Sequence, residues 1–310
     1  MLKLILQIFL ICMLFLFKKH CTLVHFVIFI YQFNLMDKHI RKFIFLNVLF
    51  LFHSISYSQG WLPMGSRSQS IANASVAISD LWSYHHNPAA SSKVKNFGVG
   101  LSYENRFLLR ELQSQGLTLV VPLKKGVVST GAQSYGFSNY RTYRVGMGYA
   151  MDLTEFLSAG VQLNYHRISL TQNYGFHQTV TAEIGLLGEI NDDWKIGFSV
   201  FNLTRNKLSE FMEDRYSSIL RIGTVYKVSN IVSLYAEAEK HVEYTIRGKF
   251  GVEYEPTSQL YVRAGFATSP IELSFGLGYK FINSISLDIG SAYHQQLGWS
   301  PNFSLSYQLD

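Results

Sequence analysis

The sequence contains very little cysteine, and both of its cysteines stand near its beginning. Among 310 residues only Cys12 and Cys21 are cysteine, so the chain beyond residue 58 can form no disulfide and no thiolate metal site. Charged residues make up only 15% of the chain, the same share as aromatic residues. No apolar run beyond residue 58 reaches the roughly 18 residues of a membrane-spanning helix. These absences argue against a disulfide-bonded extracellular scaffold and against a bundle of membrane helices.

Signatures of catalysis are missing as well. Four histidines lie near the ends of the strands that are predicted below, at the outer side of the predicted barrel: His166, His177, His241 and His294. Some barrel hydrolases carry their active sites at such positions. No Gly-x-Ser-x-Gly elbow accompanies them, and no glycine-rich loop could cradle a phosphate. His85 and His86 are adjacent, so in extended backbone their side chains point in opposite directions, and no third ligand has suitable spacing. We therefore expect no enzyme, no metal site and no cofactor.

The formal net charge of +6 comes mostly from the first 58 residues. That segment carries six basic residues and one acidic residue. The whole chain has 27 basic and 21 acidic residues, so 21 basic and 20 acidic residues remain beyond residue 58, a net charge of +1. A chain with so little excess charge is not expected to bind nucleic acid.

Residues 36–58 have the composition of a secretory signal peptide. A basic stretch at 37–42 precedes an apolar run from Phe43 to Phe52, and Ser56 to Ser58 supply small residues for cleavage after Ser58. Residues 1–35 precede this complete signal. They are either a membrane-anchored extension or the product of a start codon assigned too early, and we expect the second. The mature chain would divide into a segment at 59–95 and a β-structured part at 96–310.

From residue 96 onward, short segments alternate between apolar and polar side chains. Between Phe156 and Ile168, for example, apolar residues occupy every second position, the pattern of a strand with one apolar and one polar face. Fourteen such strands follow one another: Phe97–Phe107, Ser114–Leu123, Gly126–Tyr135, Arg141–Met151, Phe156–Leu170, His177–Ile190, Trp194–Leu203, Tyr216–Val228, Ile231–Lys240, Tyr244–Glu255, Gln259–Thr268, Ile271–Phe281, Ser284–His294 and Pro301–Leu309. The even number predicts an all-β fold, a closed 14-stranded antiparallel transmembrane barrel.

The connections between these strands alternate between two classes. Tight polar turns such as Lys124-Lys125 and 229–230 alternate with generally longer links such as 204–215. Outer-membrane barrels have this asymmetry, with short periplasmic turns and longer external loops. It predicts that both ends of the barrel chain lie on the periplasmic side.

The polar face carries charges of both signs. We expect these residues to form a network that holds a plug, with a minor role for some of them in guiding a substrate: Glu183, Lys195, Arg221, Glu237, Arg247, Lys249, Glu253, Arg263 and Glu272. Such charges are costly in lipid, about 2 to 4 kcal/mol for each Lys or Arg at mid-depth. The apolar face is therefore predicted to contact outer-membrane lipid, and the charged face to line the lumen.

Residues 60–92 resemble the amino-terminal signature of the FadL-like superfamily of outer-membrane barrels, in the PorV/PorQ branch of Bacteroidota. The matching stretches are Gly65-Ser66-Arg67, Ala72–Ser75, Asp80-Leu81-Trp82 and Asn87-Pro88-Ala89-Ala90. The last has Ala90 where the family usually has glycine. The resemblance implies an N-terminal hatch (59–95) folded into the lumen. It also implies a gating or structural role for the motif residues Gly65, Arg67, Asp80, Trp82, Asn87, Pro88 and Ala89.

Two functions follow from the resemblance. Some members of the superfamily take up long-chain fatty acids or other hydrophobic compounds, and this predicts passage of a hydrophobic or small ligand. PorV-like members act in type IX secretion, so the alternative is binding of secretion-system subunits or client proteins. Both place the protein in the bacterial outer membrane.

Overall fold

The computed structural model describes residues 63–170, 175–203, 217–242, 244–282 and 284–309, and for Ile282 its backbone alone. The predicted upstream extension at 1–35 and the predicted signal peptide at 36–58 lie outside the described residues, as do positions 59–62 of the predicted hatch. No helix among the described residues is both long enough and apolar enough to cross a membrane.

The chain forms a closed antiparallel β-barrel of 14 strands, as the alternation predicts. Each strand pairs with the next, and β14 pairs with β1 through seven consecutive partners from Gly98–Gln308 to Glu104–Asn302. The strands are β1 Gly98–Asn105, β2 Gln113–Leu123, β3 Gly126–Phe137, β4 Tyr140–Asp152, β5 Leu157–Leu170, β6 Phe176–Asn191, β7 Trp194–Phe201, β8 Ile219–Ser229, β9 Val232–His241, β10 Arg247–Thr257, β11 Leu260–Ala267, β12 Glu272–Ile282, β13 Ile285–His294 and β14 Gly298–Gln308.

The two ends of the barrel differ in their connections. One end, here the short-turn end, carries the links 124–125, 153–156, 192–193, 230–231, 258–259 and 283–284, together with the start of β1 and the finish of β14. The other, here the long-link end, carries links of up to 17 residues, the longest being 202–218. The link 138–139 is an exception, since it lies at the long-link end and has only two residues. The predicted alternation therefore holds, apart from that one connection.

The wall has its apolar face outside. Along β5, Ser158, Gln162 and Asn164 are buried in the lumen, whereas Val161 and Leu163 point outward with 58% and 62% of their surface exposed. Exposed apolar side chains are present on every strand except β3, and a water-soluble protein would not maintain such a surface. Outward aromatic rings gather near both strand ends, for example Tyr149 and Trp194 at the short-turn end and Tyr143 and Trp299 at the long-link end. Lipid is the environment that stabilises such a surface.

The lumen is filled by the hatch, which supplies most of the buried apolar core. The hatch contains one short helix, α1 (Ser66–Ser70), and two 3₁₀ helices, Leu81–His85 and Pro88–Lys93. Between α1 and the first 3₁₀ helix, residues 71–80 are irregular. Because almost every side chain of the hatch is buried, no single apolar face exists to support a longer helix.

Candidate functional site

Glycines on the inner wall leave the space that the hatch occupies. Five pairs of lumen glycines face each other directly across neighbouring strands: Gly131–Gly146, Gly160–Gly185, Gly197–Gly223, Gly251–Gly265 and Gly276–Gly290. A Cβ on Gly160 would lie 2.5 Å from the backbone nitrogen of Ala89, and one on Gly251 would lie 2.6 Å from Cβ of Ile71. The hatch backbone therefore packs directly against the sheet.

Not every glycine of the inner wall faces the hatch, as two pairs on β4 and β12 show. Gly146 faces the hydroxyl of Tyr84, and Gly276 faces Ser70, so both accommodate the hatch. In contrast, Gly148 and Gly278 face side chains of neighbouring strands, such as Ser129 and Arg263.

A buried charged cluster on β8, β9 and β10 binds the hatch backbone. The Nε of Arg221 and the Nζ of Lys249 lie 2.8 Å and 3.0 Å from Oε1 of Glu237. The other oxygen of Glu237 accepts hydrogen bonds from the backbone N–H groups of Ser75 and Val76, at 2.8 Å and 2.9 Å. Two further donations reach hatch carbonyls, since Arg221 Nη1 bonds to His86 O and Lys249 Nζ to Asn73 O. Three strands are thus joined to the middle of the hatch.

A second charged cluster surrounds Arg67 of the hatch. Its guanidinium donates to both oxygens of Glu253, at 3.1 Å and 2.8 Å, and lies 3.4 Å from Asp80. Glu253 also accepts a hydrogen bond from Arg263, whose Nη1 lies 2.6 Å from Asp288. One hatch arginine is therefore connected to three strands, β10, β11 and β13.

The other predicted charges of the lumen lie outside these two clusters. Glu183 pairs with Arg144 at 3.3 Å, and Arg247 pairs with Glu272 at 3.0 Å. Lys195 pairs with Glu189, which also binds Lys93 of the hatch at 2.9 Å. Every residue of the predicted lumen network therefore faces the interior, but the network is several separate groups.

The motif residues of the hatch hold its own turns in place. Gly65 has φ +90° and lies against Trp82, where a Cβ would be 2.6 Å from Cγ of the ring. Asp80 caps the first 3₁₀ helix by accepting from the backbone N–H of Trp82 at 2.8 Å. The left-handed backbone and the packed indole together require glycine at position 65.

Asn87 fastens the next turn to the barrel wall. Its side-chain amide donates to the carbonyl oxygens of Val76 and Leu186, at 2.7 Å and 3.1 Å, and its Oδ1 accepts from Ala89 N. Pro88 follows as the first residue of the second 3₁₀ helix, where its missing N–H costs nothing. Asn87 thus connects two turns of the hatch to β6.

The adjacent histidines are buried and uncharged. His85 Nε2 lies 3.3 Å from Leu117 O, and His86 Nε2 lies 2.8 Å from Met64 O. Burial, assisted by nearby Arg144, lowers the pKa of His85 to about 3. Burial and Arg221 lower the pKa of His86 well below its ordinary value. Within the described part of the chain, no three metal-binding side chains cluster.

Arg144 was missed by the sequence reasoning, although its position offered a signal. It shares the inward parity of Gly146 and Gly148 on β4. Its guanidinium lies 5.7 Å from the ring of Tyr84 and 5.3 Å from that of Phe201. Arg144 is almost fully buried, and its Nε and Nη1 have no hydrogen-bond partner. This part of the lumen is therefore less completely bonded than the part around Glu237.

An apolar cluster, also missed, lies beside Arg144 at the long-link end of the lumen. It consists of Tyr140, Ile168, Leu170, Phe201 and Ile219. The alternation of apolar and polar residues could not predict this cluster. An apolar residue on the polar face of a strand breaks the alternation, and the sequence does not show whether such a residue points into the lumen or outward.

A cavity of about 450 Å³ lies beneath the hatch at the short-turn end. Hatch residues 77–82 and Arg67 line the side of the cavity that faces the hatch. Its walls carry charges of both signs, including Lys227, Glu255 and Lys280. The lumen thus contains a cavity with charged and apolar lining at the short-turn end and an apolar cluster at the long-link end.

Sequence comparison identifies no relative, since no family model matches and no curated protein matches. Solved structures do match. The CymD monoaromatic hydrocarbon channel aligns with TM-score 0.61 and 13% identity over 81% of this chain and 99% of that one. The toluene transporter TbuX of Ralstonia pickettii aligns with TM-score 0.58 and 13% identity over 79% of this chain and 97% of that one. A FadL homologue of Pseudomonas aeruginosa aligns with TM-score 0.59 and 13% identity over 82% of this chain and 100% of that one. The chain has the FadL-type barrel fold, and at this identity the likeness concerns the fold alone.

Proposed function

We propose that this protein is an outer-membrane channel that admits small hydrophobic compounds, with its long-link end outside the cell and both ends of the barrel chain in the periplasm. The observation that carries the proposal is the apolar cluster around Phe201 and Ile219 inside the lumen, which is formed by barrel residues alone, whereas the other apolar clusters include hatch residues. Such a cluster gives a hydrophobic compound a place to leave water. The match to structures described as a monoaromatic hydrocarbon channel and a toluene transporter supports the same substrate class.

The route past the hatch runs along β3 to β6. On the opposite side, Arg67 and Glu237 tie the hatch to the wall through charged hydrogen bonds, which are about twice as strong as neutral ones. Towards β3 and β5, the bonds of Tyr84 to Gly131 O and to Asn164 Oδ1 are neutral, both at 3.2 Å. Buried polar atoms without partners, Nε and Nη1 of Arg144 and Nδ2 of Asn164, lie in this region. The ion pairs of Lys93 with Asp152 and Glu189 also lie on this side, at the short-turn end. We infer that a small displacement of the hatch costs least around Tyr84, away from these ion pairs.

An uptake assay tests the channel. Cells that make the full chain should accumulate a radiolabelled monoaromatic hydrocarbon faster than cells without it. Phe201→Asn, which places an amide in the apolar cluster, should slow this uptake severalfold. Thr179→Asn is the matched control, because Thr179 is a polar, inward residue of β6. Uptake equal with and without the chain would overturn the proposal.

Surface labelling tests the orientation. The links 138–139 and 124–125 are both two residues long and lie at opposite ends of the barrel. A short epitope inserted at 138–139 should bind antibody on intact cells, whereas the same epitope at 124–125 should bind only after the outer membrane is opened. The reverse pattern would contradict the proposed placement of the termini.

A second function, binding of type IX secretion subunits or client proteins, is favoured by one observation. The hatch is bonded to many strands of the barrel, among them β6, β8, β9 and β10. A hatch held in this way could keep the lumen closed to every compound, which would leave protein binding as the function. The hatch motif around Asn87 and Pro88 supports the proposal that the chain belongs to the PorV/PorQ-type branch of Bacteroidota. Affinity purification of the intact complex from native membranes tests it: co-purifying secretion subunits together with absent uptake would favour the second function over the first.

A further inference from the structure

Two arginines lie side by side on the outer wall near the long-link end. Arg141 of β4 and Arg167 of β5 both point outward and are exposed. In the register, Arg141 faces Ser169 and Tyr143 faces Arg167, so the two arginines are diagonal neighbours on one face. Diagonal side chains on adjacent antiparallel strands are about 7 to 8 Å apart. Both positive charges therefore lie in one region of the outer face, which attracts anions.

Among the described residues of β3 to β6, no carboxylate lies beside this pair on the outer face. The sequence has no Asp or Glu from 126 to 151 or from 156 to 182, a span that includes the links at the long-link end of β3 to β6. The acidic residues that border these two spans are Glu183, which points into the lumen, and Asp152 and Glu155, which lie at the short-turn end. Other arginines of the same barrel do have carboxylate partners, as Arg247 does in Glu272. The outer pair is therefore left for an external anion.

An aromatic ring orients one of the two arginines. The guanidinium of Arg167 stacks on the ring of Phe176, a residue of β6, at 4.6 Å, so its charge leans toward β6. Tyr143 faces Arg167 directly in the register, and Tyr165 donates a hydrogen bond to Gln178 at 2.8 Å. A stacked guanidinium keeps its N–H edge free for a planar or tetrahedral oxyanion. The patch thus presents cationic donors beside exposed aromatic rings on the outer face.

The depth of the patch matches the headgroup region of a membrane. From Arg141 to Met151 is ten residues, about 34 Å along a strand, which projects to about 25 Å at a tilt of about 40°. This equals the height of the apolar band of outer-membrane barrels, about 25 Å. Below the patch the outward residues Val145, Met147 and Leu163 are apolar and exposed, so acyl chains can lie against them. An arginine at this boundary costs far less than one at the middle of the bilayer.

We propose that Arg141 and Arg167 bind the phosphate of a phosphorylated glycolipid headgroup in the outer leaflet. Their guanidinium groups supply charge-assisted hydrogen bonds to the phosphate oxygens, and Tyr143 and Tyr165 pack against the sugar. This inference rests on the proposed outer-membrane orientation, but not on passage of any compound through the lumen.

Lipid binding to the full chain tests the site. The protein is placed in nanodiscs of phosphatidylcholine containing lipid A, and bound lipid A is measured by native mass spectrometry. We expect the double variant R141Q/R167Q to bind lipid A about tenfold more weakly or worse. R141K/R167K should be intermediate, because lysine keeps the charge but lacks the planar fork. The control K124Q/K125Q removes two charges from the exposed turn at the other end and should bind like the unaltered chain.

The outcomes separate this site from the channel function. Unchanged lipid A binding by R141Q/R167Q, or an equal loss in K124Q/K125Q, would overturn the site. So would equal retention of phosphatidylglycerol, or displacement of lipid A by inorganic phosphate alone. Hydrocarbon uptake should be unaffected by R141Q/R167Q, since both side chains lie outside the lumen. If the unaltered chain binds lipid A but shows no hydrocarbon uptake, the result would support the lipid A site and contradict the channel function.

Discussion

Arg221 on β8 and Glu237 on β9 are joined by a buried ion pair, Nε to Oε1 at 2.8 Å, and each also binds the backbone of the hatch. The pair is therefore part of the attachment between plug and wall, and not only a contact between strands. A carboxylate that accepts from two backbone N–H groups, an arginine and a lysine has every lone pair occupied.

Removing this carboxylate should loosen the hatch. Glu237→Gln keeps the shape but leaves Arg221 and Lys249 with less buried negative charge, and loss of one partner of a buried pair costs about 3 to 5 kcal/mol. We expect the amides of Ser75 and Val76 to exchange hydrogen much faster, measured by hydrogen-exchange mass spectrometry. Glu255→Gln, on the wall of the cavity below, should leave their exchange unchanged. Equal protection in both variants would show that Glu237 does not hold the hatch.

A methyl group on the inner wall should disturb the hatch only where the hatch touches. Gly160→Ala would place its Cβ 2.5 Å from Ala89 N, and overpacking of this kind costs about 1 to 3 kcal/mol. Gly188→Ala is the control on the outward face of the neighbouring strand, where the nearest atom is 3.9 Å from the new Cβ. Thermal unfolding followed by circular dichroism should show a lower midpoint for Gly160→Ala alone. Equal midpoints would contradict direct packing at Gly160.

Stability should fall in mildly acidic solution because of the two hatch histidines. Their pKa values are lowered in the folded chain, to about 3 for His85 and well below the ordinary value for His86, so the unfolded chain binds more protons. Their stabilising contribution is complete above the unfolded pKa of about 6.5 and decreases below it, by about 1.4 kcal/mol per pH unit for each histidine. Urea titrations from pH 8 to pH 4 should show a steep loss that is reduced in H85Q/H86Q. The same slope in both proteins would exclude this origin.

The barrel could be predicted from the sequence because strand parity is a local property. Each run such as Leu157–Leu170 shows its two faces within a few residues, and the predicted strand ends differ from the described ones by at most three positions. The hatch could not be predicted in the same way. Its backbone conformation depends on partners far along the chain, as Ser75 and Val76 depend on Glu237.

The charged residues of the lumen show the same limit. Parity indicates that Arg221, Lys249 and Arg263 point inward, but not which acid each one meets. Arg221 faces Glu239 directly in the register, yet its shortest contact is with the diagonal residue Glu237. That choice is set by the hatch N–H groups, which hold Glu237 in place. The ion pairs of the lumen could therefore be predicted only with knowledge of the three-dimensional path of the hatch.

A reversible cross-link between hatch and wall tests the central claim, that compounds pass when the hatch shifts against β3 to β6. A Cβ on Gly185 would lie 3.1 Å from Cγ of Asn87, close to the about 3 Å between a Cβ and the far sulfur in a disulfide. Since the chain beyond residue 58 has no cysteine, N87C/G185C would form a single bond there.

Hydrocarbon uptake by cells carrying N87C/G185C should then be measured before and after reduction. We expect no uptake above background while the disulfide is intact, and uptake at least equal to that of the unaltered chain once it is reduced. Equal uptake in the oxidised and reduced states would contradict passage by movement of the hatch at this point. Absence of uptake in both states and in the unaltered chain would contradict the channel itself.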